Sequence, residues 1–197
     1  MKSRIIGILT AAAMLVAGSV LAADSYQIDP VHSNIGFSVR HMVISNVKGN
    51  FTDFSGTILY DDKDISKSSV NVTIKTTSIN TGNQYRDNDL KSGNFFEAEK
   101  YPEITFQSTK IDKAVEGFDL IGNLTMRGVT KEVKIPFNVL GTVKDPYGNT
   151  RLGAEGTLTI NRQDYGISFN KALDNGGLVV GNEVKIDLNI EAVNKKQ

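Results

Sequence analysis

Residues 34–42 of the chain read Asn-Ile-Gly-Phe-Ser-Val-Arg-His-Met, and this stretch carries the pattern that decides the fold. Ile35, Phe37 and Val39 alternate with small or polar residues, a period of two that is typical of a strand with one buried face. His41 is the next residue on that face. It is either a core-edge histidine held by hydrogen bonds or a polar group beside an apolar cavity, and the sequence leaves both interpretations open.

The same alternation recurs along the chain in about nine segments separated by turn signals, which predicts a mostly antiparallel β domain. Turns are expected at residues 127–128, 145–148 and 175–177 because these contain Gly, Pro, Asn or Asp. The other apolar rows lie around Phe51 and at Ile58 and Tyr60; Val70, Val72 and Ile74; Ile104 and Phe106; Phe118, Leu120, Leu124 and Met126; Val133, Ile135, Phe137 and Val139; Leu152, Ala154, Leu158 and Ile160; and Val184, Ile186, Leu188 and Ile190.

Residues 83–100 lack this alternation and are predicted to form one or two short helices, ended by Tyr101-Pro102. A sheet of this size with one apolar face must fold as a sandwich or close into a barrel. Gly122 and Gly156 in the inward rows, and the many inward aromatic residues, favour a barrel. Pro136 cannot donate a backbone hydrogen bond, which predicts a bulge or a local break there.

The first 22 residues are predicted to be a signal peptide. Lys2 and Arg4 precede an uncharged apolar run from Ile5 to about Val16, and residues 20–22 offer small side chains for cleavage after Ala22. A membrane-spanning helix is the alternative, but the run is shorter than the roughly 20 residues that a bilayer requires. We therefore expect an exported protein in a bacterial periplasm, with one domain over residues 23–197.

The composition excludes several function classes. The full chain has 22 Lys and Arg and 22 Asp and Glu, and the leader accounts for two of the basic residues, so the mature net charge is near −2. A near-neutral surface without a basic cluster does not attract the phosphates of a nucleic acid, so we do not expect nucleic acid as a partner. The chain has no cysteine. Neither disulfide bonds nor thiol catalysis is therefore available.

The sequence gives little support to a metal site or to catalysis. His32 and His41 differ in parity, so on one strand they would face opposite ways, and no spacing typical of zinc ligands occurs. There is also no Gly-x-Ser-x-Gly elbow of the kind that presents a nucleophilic serine. We predict no metal, no cofactor and no catalytic residue.

Motifs spread over nearly the whole mature chain occur in a specific order. They are Asp29-Pro30-Val31-His32-Ser33, Gly49-x-Phe51-x-x-Phe54-x-Gly56, Arg86-Asp87-x-x-Leu90-x-Ser92, Tyr101-Pro102-x-Ile104-x-Phe106, Gly122-x-Leu124-Thr125-x-x-Gly128 and Asn161-Arg162-x-Asp164-Tyr165-Gly166. With these motifs in this order, the sequence resembles the YceI-like family. The resemblance implies a lipocalin-like, extended antiparallel β-barrel that encloses a polyisoprenoid or a similar long amphiphile, often in the periplasm.

The resemblance also implies traffic in quinone-like lipids beside a membrane redox protein of the cytochrome b561 type. A homodimer is a further candidate assembly. We predict a periplasmic carrier or sequestering protein for an isoprenoid-type lipid, without catalysis. The alternatives are an enzyme that acts on a bound lipid, and an interaction domain whose interior is filled by its own side chains.

The predicted ligand contacts are inward apolar residues with a few polar groups. His41, together with Arg86 or Arg162, would set which end of the lipid faces outward, although each arginine has an alternative role in pairing with Asp87 or Asp164. Phe95 and Phe96 would cap the cavity or simply pack the helical segment. The full set is Ile35, Phe37, Val39, His41, Phe51, Phe54, Arg86, Leu90, Phe95, Phe96, Phe106, Leu120, Phe137 and Arg162.

Overall fold

The computed structural model describes residues 23–172 and 178–194. The predicted signal peptide and the predicted turn at 175–177 lie outside the described residues. In chain order the elements are β1 (Asp24–Ile28), β2 (Asn34–His41), β3 (Ser45–Phe51), β4 (Phe54–Tyr60), β5 (Ser69–Lys75), β6 (Ile79–Asn80), α1 (Gln84–Lys91), β7 (Glu103–Lys113), β8 (Phe118–Met126), β9 (Val129–Lys144), β10 (Thr150–Asn161) and β11 (Val180–Asn194), with short 3₁₀ turns at Ile65–Lys67, Thr76–Ser78 and Arg162–Tyr165.

Eight strands close into an antiparallel barrel, which confirms the predicted fold class. Their order is β1-β4-β5-β7-β8-β9-β10-β11, and β11 returns to pair with β1 through Gln27 with Val193 and Ile28 with Ala192. Where β1 and β11 pair, neither strand is a free edge. The backbone N–H and C=O groups of both strands are hydrogen-bonded within the barrel there.

The barrel continues into a three-stranded extension formed by β2, β3 and β6, because β11 changes its partner along its length. Its C-terminal end pairs with β1 at Ala192 and Val193. The part from Val180 to Asn189 pairs with β2, where Ile186 lies opposite Phe37. At the change, the Ser33 hydroxyl donates to the Glu191 carbonyl at 3.0 Å and accepts from the Glu191 N–H at 2.9 Å. The Ser33 side chain therefore satisfies the backbone N–H and C=O of Glu191 at the point where β11 changes from one partner strand to the other.

The inward rows predicted from the sequence form one continuous core. Leu120, Gly122, Leu124 and Met126 on β8 are buried, and the residues that alternate with them are more exposed. Gly122 and Gly156 lie in these rows beside cross-strand aromatic residues. A Cβ on Gly122 would come within 2.6 Å of the Phe106 ring, so the missing side chain makes room for that ring.

Of the two outcomes predicted at Pro136, a bulge or a local break, the structure has the break. β9 runs through this residue, and Pro136 pairs in register with Asp119 of β8. On the other side the ladder to β10 ends at Phe137, one residue later in the chain, so the missing N–H costs no bond there. A register shift between β9 and β10 lies further along, at exposed Leu140, which it leaves without a partner.

The predicted helical segment contains one α-helix, α1. The Asn83 side chain caps its start by accepting from the Arg86 N–H at 3.1 Å. Ser92 ends it, and the Ser92 hydroxyl donates to the Asp89 carbonyl at 2.7 Å. None of the described helices has the length and apolar character needed to cross a bilayer.

Candidate functional site: an apolar cavity in the barrel

The barrel encloses a cavity whose wall is almost entirely hydrocarbon. Inward residues of all eight barrel strands line it, together with β2 and β3 of the extension. The lining follows from the period of two, since each strand turns every second side chain toward the axis. The interior is therefore not filled by its own side chains, which argues against the interaction domain with a solid core.

The residues that line the cavity extend along the barrel. The cavity measures about 180 Å³, counted as the space open to the centre of a water-sized sphere, and along β7 its wall runs from Ile104 to Ile111. That path is roughly 23 Å at about 3.3 Å per residue. A uniform cylinder of this volume and length, with the sphere's own radius of about 1.4 Å added, would be about 3 Å in radius. A cylinder of this width admits one hydrocarbon chain.

Few polar groups reach the cavity wall. The Ser68 hydroxyl accepts a hydrogen bond from the Asp61 N–H at 2.9 Å. Glu155 also borders the cavity, but its exposed position between inward Ala154 and Gly156 turns its carboxylate outward. Among the described residues that line the cavity, Tyr60 brings a further hydroxyl and there is no histidine. A ligand here would be held by burial rather than by a charged anchor.

Six of the fourteen predicted contact residues line the cavity, and all six are apolar. They are Ile35, Phe37, Phe51, Phe106, Leu120 and Phe137. The period-two rows placed these side chains on the inward face, and the barrel then brings them together from five different strands. Their contact with a ligand stays a prediction.

A cluster of aromatic rings packs behind the wall at Phe51. The Phe96 ring meets Phe51 edge-on at 6.1 Å, and Phe95 contacts Phe169 at 5.0 Å. Phe54 and Phe95 are buried in the core, and Leu90 and Phe96 pack against it. These four predicted residues therefore support the barrel without lining the cavity.

Val39 and His41 continue the row of Phe37 but lie beyond the cavity wall. His41 is half-buried at the end of β2, opposite Ser45 on β3 and Val180 on β11. Its ring has no hydrogen-bond partner among the described residues, so it is not the hydrogen-bonded core-edge histidine that the sequence left open. His41 thus marks the end of the apolar row.

Arg86 and Asp87 do not pair with each other. Instead both bind Thr81: the Arg86 Nε donates to the Thr81 hydroxyl at 2.8 Å, and the Asp87 carboxylate accepts from the Thr81 N–H at 2.9 Å. The Arg86 Nη2 donates to the Thr81 carbonyl at 3.0 Å. The pair therefore fastens the start of α1 to the end of β6.

Arg162 is buried, with 4% of its surface exposed, and it does not pair with Asp164 as expected. Asp164 faces Lys131 at 4.0 Å. The guanidinium donates to backbone carbonyls of Ile167 at 2.7 Å, Gly181 at 2.9 Å and Val180 at 3.2 Å, and to the Asn182 side chain. Burial lowers the pKa of Arg162. This residue ties the turn after β10 to the start of β11.

A charged cluster outside the barrel was not anticipated. Asp29, His32 and Glu191 bring ligand-type atoms within 4.8 Å of one another, as a metal site would. Arg151 bridges the two carboxylates, with its Nη1 2.9 Å from Asp29 and hydrogen-bonded to Glu191. Hydrogen bonds from His32 and Arg151 lower the pKa of Asp29 to about 2. The Arg151 guanidinium supplies the positive charge that a metal ion would supply between these carboxylates. We therefore interpret the cluster as a structural network of ion pairs.

Most of the cavity wall consists of aliphatic residues that the sequence analysis placed in rows but did not choose as contacts. The sequence pattern that could have identified these residues is the period-two alternation. It shows that a side chain faces inward, but not whether that side chain packs in the core or lines the cavity. These residues include Ile58, Val70, Val72, Ile74, Ile104, Leu124, Met126, Val133, Ile135, Val139, Leu152, Ala154, Leu158, Ile186, Leu188 and Ile190. Three further lining residues, Ile28, Ile65 and Ile111, lie outside the predicted rows.

A closed antiparallel barrel around an apolar tube defines a protein of the lipocalin-like class. The chain belongs to the YceI-like family, whose YceI-like domain model matches residues 26–192. Protein YceI of Escherichia coli O157:H7 is similar to it, with 38% identity over 198 aligned positions that cover 100% of both chains.

Solved structures share the architecture. The crystal structure of the Campylobacter jejuni YceI protein is 34% identical, with a TM-score of 0.68, and the match covers 80% of this chain and 90% of that one. A polyisoprenoid-binding domain from Saccharophagus degradans matches with a TM-score of 0.62 over 86% of this chain and 98% of that one. At 18% identity the second match establishes the shared fold.

Proposed function

We propose that the protein binds one long isoprenoid-type lipid inside its barrel and carries or sequesters that lipid in the periplasm. The observation that carries the proposal is the tube of about 180 Å³ lined by inward residues of every barrel strand. Its width suits a single extended hydrocarbon chain, and its wall offers hydrocarbon along the whole length.

Burial of the chain is sufficient to drive binding. Removing hydrocarbon from water contributes roughly 0.8 kcal/mol per CH₂ group. A chain of about 20 carbons would gain on the order of 15 kcal/mol before the costs of ordering, which reduce the realised affinity well below that value. Hydrophobic area would then set the affinity, and chain length would be the main determinant of specificity.

One structural neighbour supports the same class of ligand, since the Saccharophagus degradans domain is named as polyisoprenoid-binding. We base the proposed periplasmic location on the predicted signal peptide at residues 1–22. The proposed partner for delivery is a membrane redox protein of the cytochrome b561 type, which the family resemblance implies, and the proposed assembly includes a homodimer. An enzyme acting on the lipid would need a reactive group on the wall, and the lining described above favours a carrier.

The test is mass spectrometry of the organic extract from purified protein. Ala154 lines the cavity, whereas Thr157 on the same strand is exposed. We expect about one isoprenoid-type molecule per wild-type chain and per Thr157→Phe chain, and a large loss in Ala154→Phe because the new ring blocks the tube. Extracts without such a lipid from wild type, or equal lipid in all three proteins, would contradict the proposal.

A further inference from the structure

The hairpin between β2 and β3 ends in an exposed apolar tip. Met42, Val43 and Ile44 are 42%, 57% and 83% exposed, and Leu178 lies beside them at 38%. The Met42 N–H donates to the Val179 carbonyl at 3.0 Å, which joins the hairpin to the segment before β11. We call these four residues the apolar tip. Burial in the barrel core does not account for them, because their side chains face away from it.

The backbone of the tip has positive φ angles at residue types that rarely adopt them. Met42 and Val43 have φ angles of +50° and +66°, and the Ile44 N–H closes the turn on the His41 carbonyl at 3.2 Å. Two-residue turns with two positive φ angles normally use Asn-Gly, and a β-branched residue such as Val43 rarely adopts this conformation. Apolar side chains therefore occupy the turn despite a cost to folding, as is common at functional positions.

The hairpin that carries the tip has charge of one sign. Residues 30–52 contain no Asp or Glu, and Arg40 and Lys48 are exposed on the two strands that lead to the tip. Exposed Lys171 accepts a hydrogen bond on its carbonyl from the Val179 N–H, beside the same turn. Asp174 of the neighbouring loop lies outside the described residues. On β11, exposed Glu183 lies between the residues that pair with His41 and Val39, so it adds one acid beside Arg40. An apolar end with an excess of cations on its own hairpin is complementary to an anionic bilayer surface.

We infer that the apolar tip inserts into the headgroup region of an anionic membrane and docks the barrel there to take up or release its lipid. This inference rests on the proposed function. The tip begins five residues beyond cavity-lining Phe37, a path of roughly 17 Å along β2. Docking would thus hold the cavity close to the membrane surface while the barrel stays in water.

The chain contains no tryptophan, so a single substitution supplies a clean reporter. Ile44→Trp places the reporter on the tip, and Val115→Trp places it on the β7–β8 turn, where Val115 is also fully exposed. With phosphatidylglycerol-containing vesicles we expect a blue shift of the Ile44→Trp emission and none for Val115→Trp. Equal shifts at both positions, or a shift of Ile44→Trp that depends on protein concentration without vesicles, would overturn the inference.

A second variant separates docking from folding. Met42→Asn with Val43→Gly installs the residues that this turn prefers, so it should fold at least as well as wild type while losing the apolar side chains. We expect its co-sedimentation with anionic vesicles to fall severalfold, and Arg40→Gln to weaken binding about fivefold. Unchanged vesicle binding of the Asn-Gly variant would overturn the inference. Its extracted lipid content should stay at the wild-type level, so a failure of lipid binding and a failure of docking give different results.

Discussion

The ring of Phe106 lies over Gly122 of the neighbouring strand, in the space that any other residue would fill with a side chain. A Cβ at position 122 would approach the ring to 2.6 Å and the Gln107 carbonyl oxygen to 2.5 Å. Phe106 lines the cavity. The missing side chain of Gly122 thus lets the Phe106 ring take its place in the cavity wall.

Gly122→Ala should therefore destabilise the barrel. The methyl group must displace either the ring or the backbone of β7, at a cost of about 1–3 kcal/mol that would appear as a lower midpoint in chemical denaturation. Gly93→Ala is the matched control, because a Cβ there meets nothing within 4 Å. It should be neutral or slightly stabilising. Equal effects at the two positions would show that the Phe106 contact is unimportant.

Arg162 should contribute to stability and not to ligand choice. Arg162→Met leaves three backbone carbonyls without their donor. We expect a loss of about 3 kcal/mol or more in the free energy of unfolding. The exposed Lys113→Met control should stay within about 0.5 kcal/mol. Lipid content per folded molecule should not change in either variant, and a selective loss of lipid in Arg162→Met would instead support contact with a head group.

The pKa of Asp29 predicts a specific acid sensitivity. Its folded value of about 2 lies below its ordinary value of 3.8, chiefly because His32 and Arg151 donate hydrogen bonds to the carboxylate. The resulting stabilisation is complete above about pH 4 and is lost as the pH falls toward 2. In this window, wild type should lose thermal stability more steeply than Asp29→Asn, which keeps the shape without the charge. Parallel curves for the two proteins would contradict this assignment.

Much of the fold could be predicted because alternation is a local property. The rows on β8 and β9 are visible in the sequence, and so is the helix that Asn83 caps. The step from β1 to β2 could not be predicted, because it depends on the Ser33 hydroxyl meeting Glu191, 158 residues away. The sequence predicted a bulge or a break at Pro136 but not its side: the ladder to β10 ends there while the ladder to β8 continues, which is a property of the register.

The site was harder to predict than the fold. Alternation along a strand shows which face a side chain is on, but not how far along the barrel it lies. His41 and Phe37 share one face, yet only Phe37 borders the cavity. Many of the predicted contacts were aromatic residues, whereas most of the cavity wall is aliphatic. Neighbouring opposite charges suggested pairs, but Arg86 and Asp87 both found hydrogen bonds on Thr81.

The most direct test of lipid binding is native mass spectrometry of delipidated protein reloaded with an isoprenoid alcohol of about 20 carbons, alongside thermal unfolding of the same samples. Burial of the chain predicts one bound molecule per barrel and a raised unfolding midpoint for wild type. Ala154→Phe should show neither effect. Wild type that retains no isoprenoid, or an Ala154→Phe protein that retains as much as wild type, would contradict a lipid-binding tube.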